Sequence, residues 1–135
     1  MVKLLFLKET LMEYLNEISY EIIGCAYKVH STLGPGLLES TYEACLEYEL
    51  KKEGYKVERQ KALPVIYDDI KLDLGYRVDL LVEDEVIVEL KAVKETSPID
   101  EAQLITYLKL SGNKLGLLIN FNVKNLQHGI KRRVL

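Results

Sequence analysis

The order of patterns along the chain predicts an α+β domain, a central mixed β-sheet flanked by helices. Three observations predict it: two helical periodicities before Gly54, short Val-, Ile-, Leu- and Tyr-rich runs between Tyr55 and Ala92, and a third helical segment followed by two more runs of strand length. Apolar residues recur three to four apart at Leu11, Leu15, Ile18, Ile22, Cys25/Ala26 and Val29. One helix with a single buried face therefore runs from Leu11 to about Thr32 and stops at Gly34-Pro35-Gly36. A second, on Leu38, Tyr42, Cys45/Leu46 and Leu50, runs from about Leu37 to Glu53 and closes at Gly54. Pro64, Asp68-Asp69, Gly75 and Glu83-Asp84-Glu85 then punctuate a meander of four or five strands. The third helix starts near Pro98-Ile99-Asp100 and ends at Ser111-Gly112-Asn113, and Leu115 to Phe121 and the tail from Gly129 to Leu135 read as strands. The predicted order is ααββββαββ, one domain over residues 1–135 whose sheet is covered by helices from both ends of the chain.

Composition narrows the function classes. The chain has 135 residues, 48% apolar and 29% charged, enough for one core without disulfides or a structural metal. Cys25 and Cys45 lie in apolar helical patterns with no CxxC, so they are expected to be buried, reduced thiols. No run approaches the roughly 20 apolar residues of a membrane span. The start, Met1 to Lys8, is too short and too soon charged for a signal peptide, so the expectation is a cytoplasmic protein with no membrane partner. With 18 basic against 21 acidic residues, the net charge of -3 argues against broad, non-specific coating of nucleic acid but not against gripping a few phosphates. The charge is uneven: from Ile99 onward there are six basic and two acidic residues, hence +4, and before it twelve and nineteen, hence -7. Nine Tyr against two Phe and no Trp sit mostly at core-compatible positions, so packing is expected of them before stacking on a ligand.

The sharpest feature is Gly75-Tyr76-Arg77-Val78-Asp79-Leu80-Leu81-Val82, an acidic turn, then Val86-Ile87-Val88-Glu89-Leu90-Lys91. Alternation puts Val78, Leu80 and Val82 on one face with Val86, Val88 and Leu90, and Asp79, Glu89 and Lys91 on the other. A three-residue loop at Glu83-Asp84-Glu85 sets Asp79 opposite Glu89, whereas a two-residue loop would set it opposite Leu90 and scatter the cluster. Two carboxylates ~5 Å apart repel unless a cation lies between them. Mg²⁺ is such a cation: it binds one or two carboxylates, water and phosphate, and lowers the pKa of its water. Lys91 beside them can stabilise charge developing on phosphoryl oxygens.

Asp79, a turn and Glu89-Leu90-Lys91 resemble the core of the PD-(D/E)XK nuclease superfamily. Gln103-Leu104-Ile105-Thr106-Tyr107 resembles the QxxxY element of its RecB-like branch, and Gly36-Leu37-Leu38-Glu39-Ser40-Thr41-Tyr42 spells the motif of the GxxExxY protein family. The resemblance spans about Leu15 to Val134 and implies a restriction-endonuclease-like core. It implies Asp79 and Glu89 as ligands of Mg²⁺ or Mn²⁺, Lys91 as the catalytic lysine, and Glu39 as the residue that completes the metal shell or orients a water. Gln103 and Tyr107 would position the lysine or the substrate phosphate, and His30 would be a structural residue or one standing behind the site. The Pro of the superfamily name is absent before Asp79, where Arg77-Val78 stands. Lys131, Arg132 and Arg133 form the expected substrate-binding basic edge. The expected activity is Mg²⁺-dependent hydrolysis of phosphodiester bonds, with nucleic acid, DNA first, as partner and room for a homodimer or larger complex. The competing reading is a non-catalytic nucleic-acid-binding or scaffold module of the same fold.

Overall fold

A computed structural model describes residues 2–135; Met1 and the side chains of Val2 and Phe6, part of the start weighed above as a signal peptide, lie outside the described residues. Helix α1 (Val2–Leu33) and α2 (Glu39–Lys52) precede β1 (Val57–Ala62), β2 (Val65–Tyr67), β3 (Ile70–Leu72), β4 (Arg77–Val82) and β5 (Val86–Lys91). Helix α3 (Pro98–Ser111), β6 (Leu115–Asn120), a 3₁₀ turn (Leu126–Gly129) and β7 (Ile130–Val134) follow. Five strands form one mixed sheet in the order β1-β4-β5-β6-β7, with β5 and β6 parallel and the other neighbours antiparallel. The parallel pair is bridged by α3, the crossover helix such a connection needs. Strands β2 and β3 pair only with each other, so the expected meander is a sheet plus a separate hairpin. No helix among the described residues is long and apolar enough to cross a membrane.

The helices cover opposite faces of the sheet. Leu15, Ile18, Ile22, Ala26 and Val29 of α1 and Tyr42, Leu46 and Leu50 of α2 pack on Leu80, Val82, Val86, Val88, Leu90, Leu115, Leu117 and Ile119. On the other face, Leu104, Tyr107 and Leu108 of α3 pack on Ile87 and Leu118. This approach is close: a Cβ at Gly116 would lie 2.7 Å from Leu104 Cδ1.

Several sequence expectations are corrected. Helix α1 begins nine residues before Leu11, and Leu4, Leu5 and Leu7 on that extension are exposed. Leu, Lys and Glu sustain a helix by backbone propensity without a buried face, so periodicity did not register it. Leu11 and Leu38, expected on buried faces, are 42% and 75% exposed; Leu38 is the residue that caps α2, and the buried face of that helix begins only at Tyr42. Cys25 is buried, with its thiol pushed up to about 11 chiefly by that burial, while Cys45 is only partly buried; both are free. Tyr14, Tyr20, Tyr27, Tyr48, Tyr67 and Tyr76 are exposed, which corrects the expectation that most tyrosines are core. A phenol presents an apolar ring and a polar hydroxyl, so a position on a helical or strand pattern does not by itself bury it.

Candidate active site

The turn between β4 and β5 decides the geometry. Glu83 and Asp84 adopt φ of 54° and 57°, the left-handed conformations of a tight hairpin, and Val82 pairs with Val86 and Leu80 with Val88. The loop is thus Glu83-Asp84-Glu85, and one step beyond Leu80 and Val88 Asp79 stands opposite Glu89. There the ladder changes character. The Asp79 backbone N–H donates to Glu89 Oε2 at 3.0 Å, and the Leu90 N–H donates to Asp79 Oδ2 at 2.8 Å. Each carboxylate therefore takes the place of a carbonyl on the facing strand. The alternation also breaks here: Val78, expected beside Leu80, packs instead with the α3 core.

Burial first, and then the negative charge of Asp79 and a hydrogen bond between the two carboxyl groups, push Glu89 up to about 9; the Asp79 N–H and Lys91 pull the other way. Glu89 is only 5% exposed. Lys91, at the end of β5, places Nζ 3.7 Å from Asp100 Oδ1. Asp100 also accepts the Ser97 N–H at 2.9 Å, which closes a capping box at the start of α3. The segment after Lys91 is pinned by buried Asn120, whose amide donates to the Val93 carbonyl at 2.8 Å and accepts the Val93 N–H at 3.1 Å.

Glu39 opens α2, and Tyr42 fixes where that helix starts. Its buried phenol donates to the Gly34 carbonyl at 2.6 Å and accepts the Leu37 N–H at 3.1 Å, while its ring stacks on Phe121 at 4.6 Å. Gly36 turns the loop at φ 100°. The Glu39 side chain reaches solvent, yet crowding by protein raises its pKa, followed by the charge of Asp79 and opposed by Lys91. It is not gathered with Asp79 and Glu89 into one ligand cluster: among the described residues no three His, Cys, Asp or Glu side chains stand together as a metal cage.

Gln103 donates from Nε2 to the Tyr107 hydroxyl at 3.2 Å, and the Tyr107 pKa is raised by burial, then by Glu89, Tyr76 and Asp79. The two side chains line a cleft of about 460 Å³ with Tyr76, Val65 and Ile99. His30 bonds through Nε2 with the Val123 carbonyl at 2.7 Å and packs near Phe121, a structural position. Lys131 and Arg133 are held by Glu101 of α3 at 2.5 and 2.7 Å, and Arg132 bonds with Asn16. The basic edge is thus already partnered within the chain.

Sequence reasoning passed over three residues at the site. Glu43, 6% exposed, accepts from Gln60 Nε2 at 2.5 Å and lies 3.5 Å from Arg59 Nε, and the same Gln60 nitrogen donates to Asp79 Oδ1 at 3.2 Å. Asp100 is the third, through Lys91. Glu43 follows the GxxExxY stretch directly, and that adjacency was the only available signal.

A model of the PD-(D/E)XK nuclease superfamily matches residues 16–133. No curated protein and no solved structure matches the chain.

Proposed function

Because the chain belongs to the PD-(D/E)XK nuclease superfamily, we propose that it is a Mg²⁺- or Mn²⁺-dependent nuclease that hydrolyses phosphodiester bonds in DNA. The observation that carries this reading is the facing pair of Asp79 and Glu89, each held by a backbone N–H, with Lys91 beside it. The donor set fits the ion: hard carboxylate oxygens, two in number, leave positions for water and phosphate as Mg²⁺ prefers. When bound, the ion supplies a Lewis acid for the phosphoryl oxygens and a water of lowered pKa. Asp79 and Glu89 would hold it, and occupancy would offset the burial and, after it, the like charge of Asp79 that together raise the Glu89 pKa. Lys91 would meet the negative charge that grows on the phosphoryl group, with Asp100 restraining its ammonium. Glu39 would orient the attacking water, and Gln103 and Tyr107 would position the lysine or the phosphate. Lys131, Arg132 and Arg133 would contact the strand at the rim. The finer placement, GxxExxY within the QxxxY branch, is supported by Gly36, Glu39, Tyr42, Gln103 and Tyr107, and the free cysteines agree with a reducing cytoplasmic compartment.

Calorimetry with Mg²⁺ and Mn²⁺ tests the site. The wild type is expected to bind, and a variant combining Asp79→Ala with Glu89→Ala to lose binding; equal binding overturns the assignment. Incubation with linear, nicked and single-stranded DNA and RNA then tests the activity. Lys91→Ala is expected to keep the metal and to lose cleavage by two orders of magnitude or more, on the order of what removing one charge-stabilising group costs. Metal binding without cleavage of any substrate would favour the scaffold module.

A further inference from the structure

Gln60 is an exposed strand residue with a backbone that strands do not adopt. Its φ is 54°, in the left-handed region, although Arg59 pairs with Leu80 and Lys61 with Val78 in one unbroken register. Gln60 therefore faces Asp79 across the β1–β4 boundary without joining the ladder. A side chain with a Cβ is strained there, and glycine would remove the strain. Such strain persists only where surrounding contacts hold it, and here they are the two bonds from one amide nitrogen to Glu43 at 2.5 Å and to Asp79 at 3.2 Å. Both acceptors are carboxylates, so the amide orientation is determined: NH₂ faces them and Oε1 faces away. Glu43 is buried on α2 and restrained by Arg59 on its other oxygen. The neighbouring strand is tied in as well, since Arg77 Nη1 donates to the Gln60 carbonyl at 3.4 Å.

We propose that Gln60, anchored by Glu43, is a positioning residue for Asp79: it fixes the orientation of the carboxylate that holds the divalent ion. Asp79 has Oδ2 restrained by the Leu90 N–H and Oδ1 by Gln60, so the plane of its carboxyl group is set by strands on both sides. The strained backbone at Gln60 is the local consequence of aiming its side chain back toward α2 and the site. The inference rests on the proposed function, in which Asp79 is a metal ligand.

The test compares the full chain with Gln60→Ala and Gln60→Gly, reading Mn²⁺ affinity by calorimetry and thermal stability without metal. Both variants are expected to bind Mn²⁺ roughly tenfold more weakly, the usual loss when a partner that orients a ligand is removed. Gln60→Gly is expected to melt at or above the wild-type temperature, because strain is relieved, while Gln60→Ala melts no higher than wild type. Wild-type affinity in Gln60→Gly overturns this inference alone. So does an affinity loss accompanied by a melting temperature of Gln60→Gly below that of the wild type, since general loosening would then explain it. If wild type binds Mn²⁺ no better than the combined Asp79→Ala and Glu89→Ala variant, the site reading itself fails and the inference falls with it.

Discussion

A glutamate with a pKa near 9 binds a proton at neutral pH that the unfolded chain, with an ordinary Glu value near 4.5, has released. Between those values the native state holds more protons than the unfolded state, so stability falls as pH rises. The contribution from Glu89 is complete below about pH 4.5 and is lost as pH passes about 9. In chelator, the melting temperature is therefore expected to decline by several degrees between pH 5 and pH 9, and Glu89→Gln, which cannot ionise, to flatten that decline. A divalent ion must displace the same proton. Mn²⁺ binding at pH 7 is thus expected to release close to one proton, read as a dependence of calorimetric heat on buffer ionisation enthalpy, and to tighten as pH rises.

One motif tyrosine and one glycine act through loops. Tyr42 reads in the sequence as part of the buried stripe of the second helix, and it is fully buried there, its phenol tying the Gly34-Pro35-Gly36 loop to the start of α2. Tyr42→Phe keeps the stack on Phe121 and strands a carbonyl and an N–H, so it is expected to cost about 1–3 kcal/mol by denaturant unfolding. Near the same end of β6, a Cβ on Gly129 would lie 2.2 Å from the Asn120 carbonyl oxygen, while a Cβ on Gly116 would meet only the Leu104 side chain at 2.7 Å. Backbone cannot give as a leucine rotamer can. Gly129→Ala is expected to destabilise the chain more than Gly116→Ala, and to disturb the Asn120 clamp on Val93 that follows Lys91.

Over the whole molecule, the +4 of the last third is less available than its count suggests. Lys131 and Arg133 share Glu101, whose carboxyl they hold below its usual range. With Lys131 and Arg133 paired to Glu101 and a net charge of -3, binding of nucleic acid should depend on metal and only shallowly on salt. Glu101→Gln frees both cations. It is expected to raise affinity for a DNA oligonucleotide severalfold at low salt and to steepen the slope of log affinity against log salt by one to two, measured by fluorescence anisotropy. An unchanged slope would show that Lys131 and Arg133 do not meet phosphate.

Periodicity and alternation are local properties, so the three helices, the strand runs and the opposition of Asp79 to Glu89 were legible from the sequence alone. The last needed only the parity of a three-residue loop, because a side chain on a strand has two faces to choose from. What the tertiary structure decided are contacts between residues far apart in the chain. The carboxylates replace ladder bonds where β4 and β5 part, Val78 leaves its expected core, and Glu43 on α2 meets Asp79 through a strained Gln60 on β1. Glu101 on α3 takes up the cations of β7, although the first pair is separated by thirty positions in the chain. No pattern within a window of sequence encodes such partnerships. They are set by how the helices dock on the two faces of the sheet, where a charge is stable only if the fold delivers its counterpart.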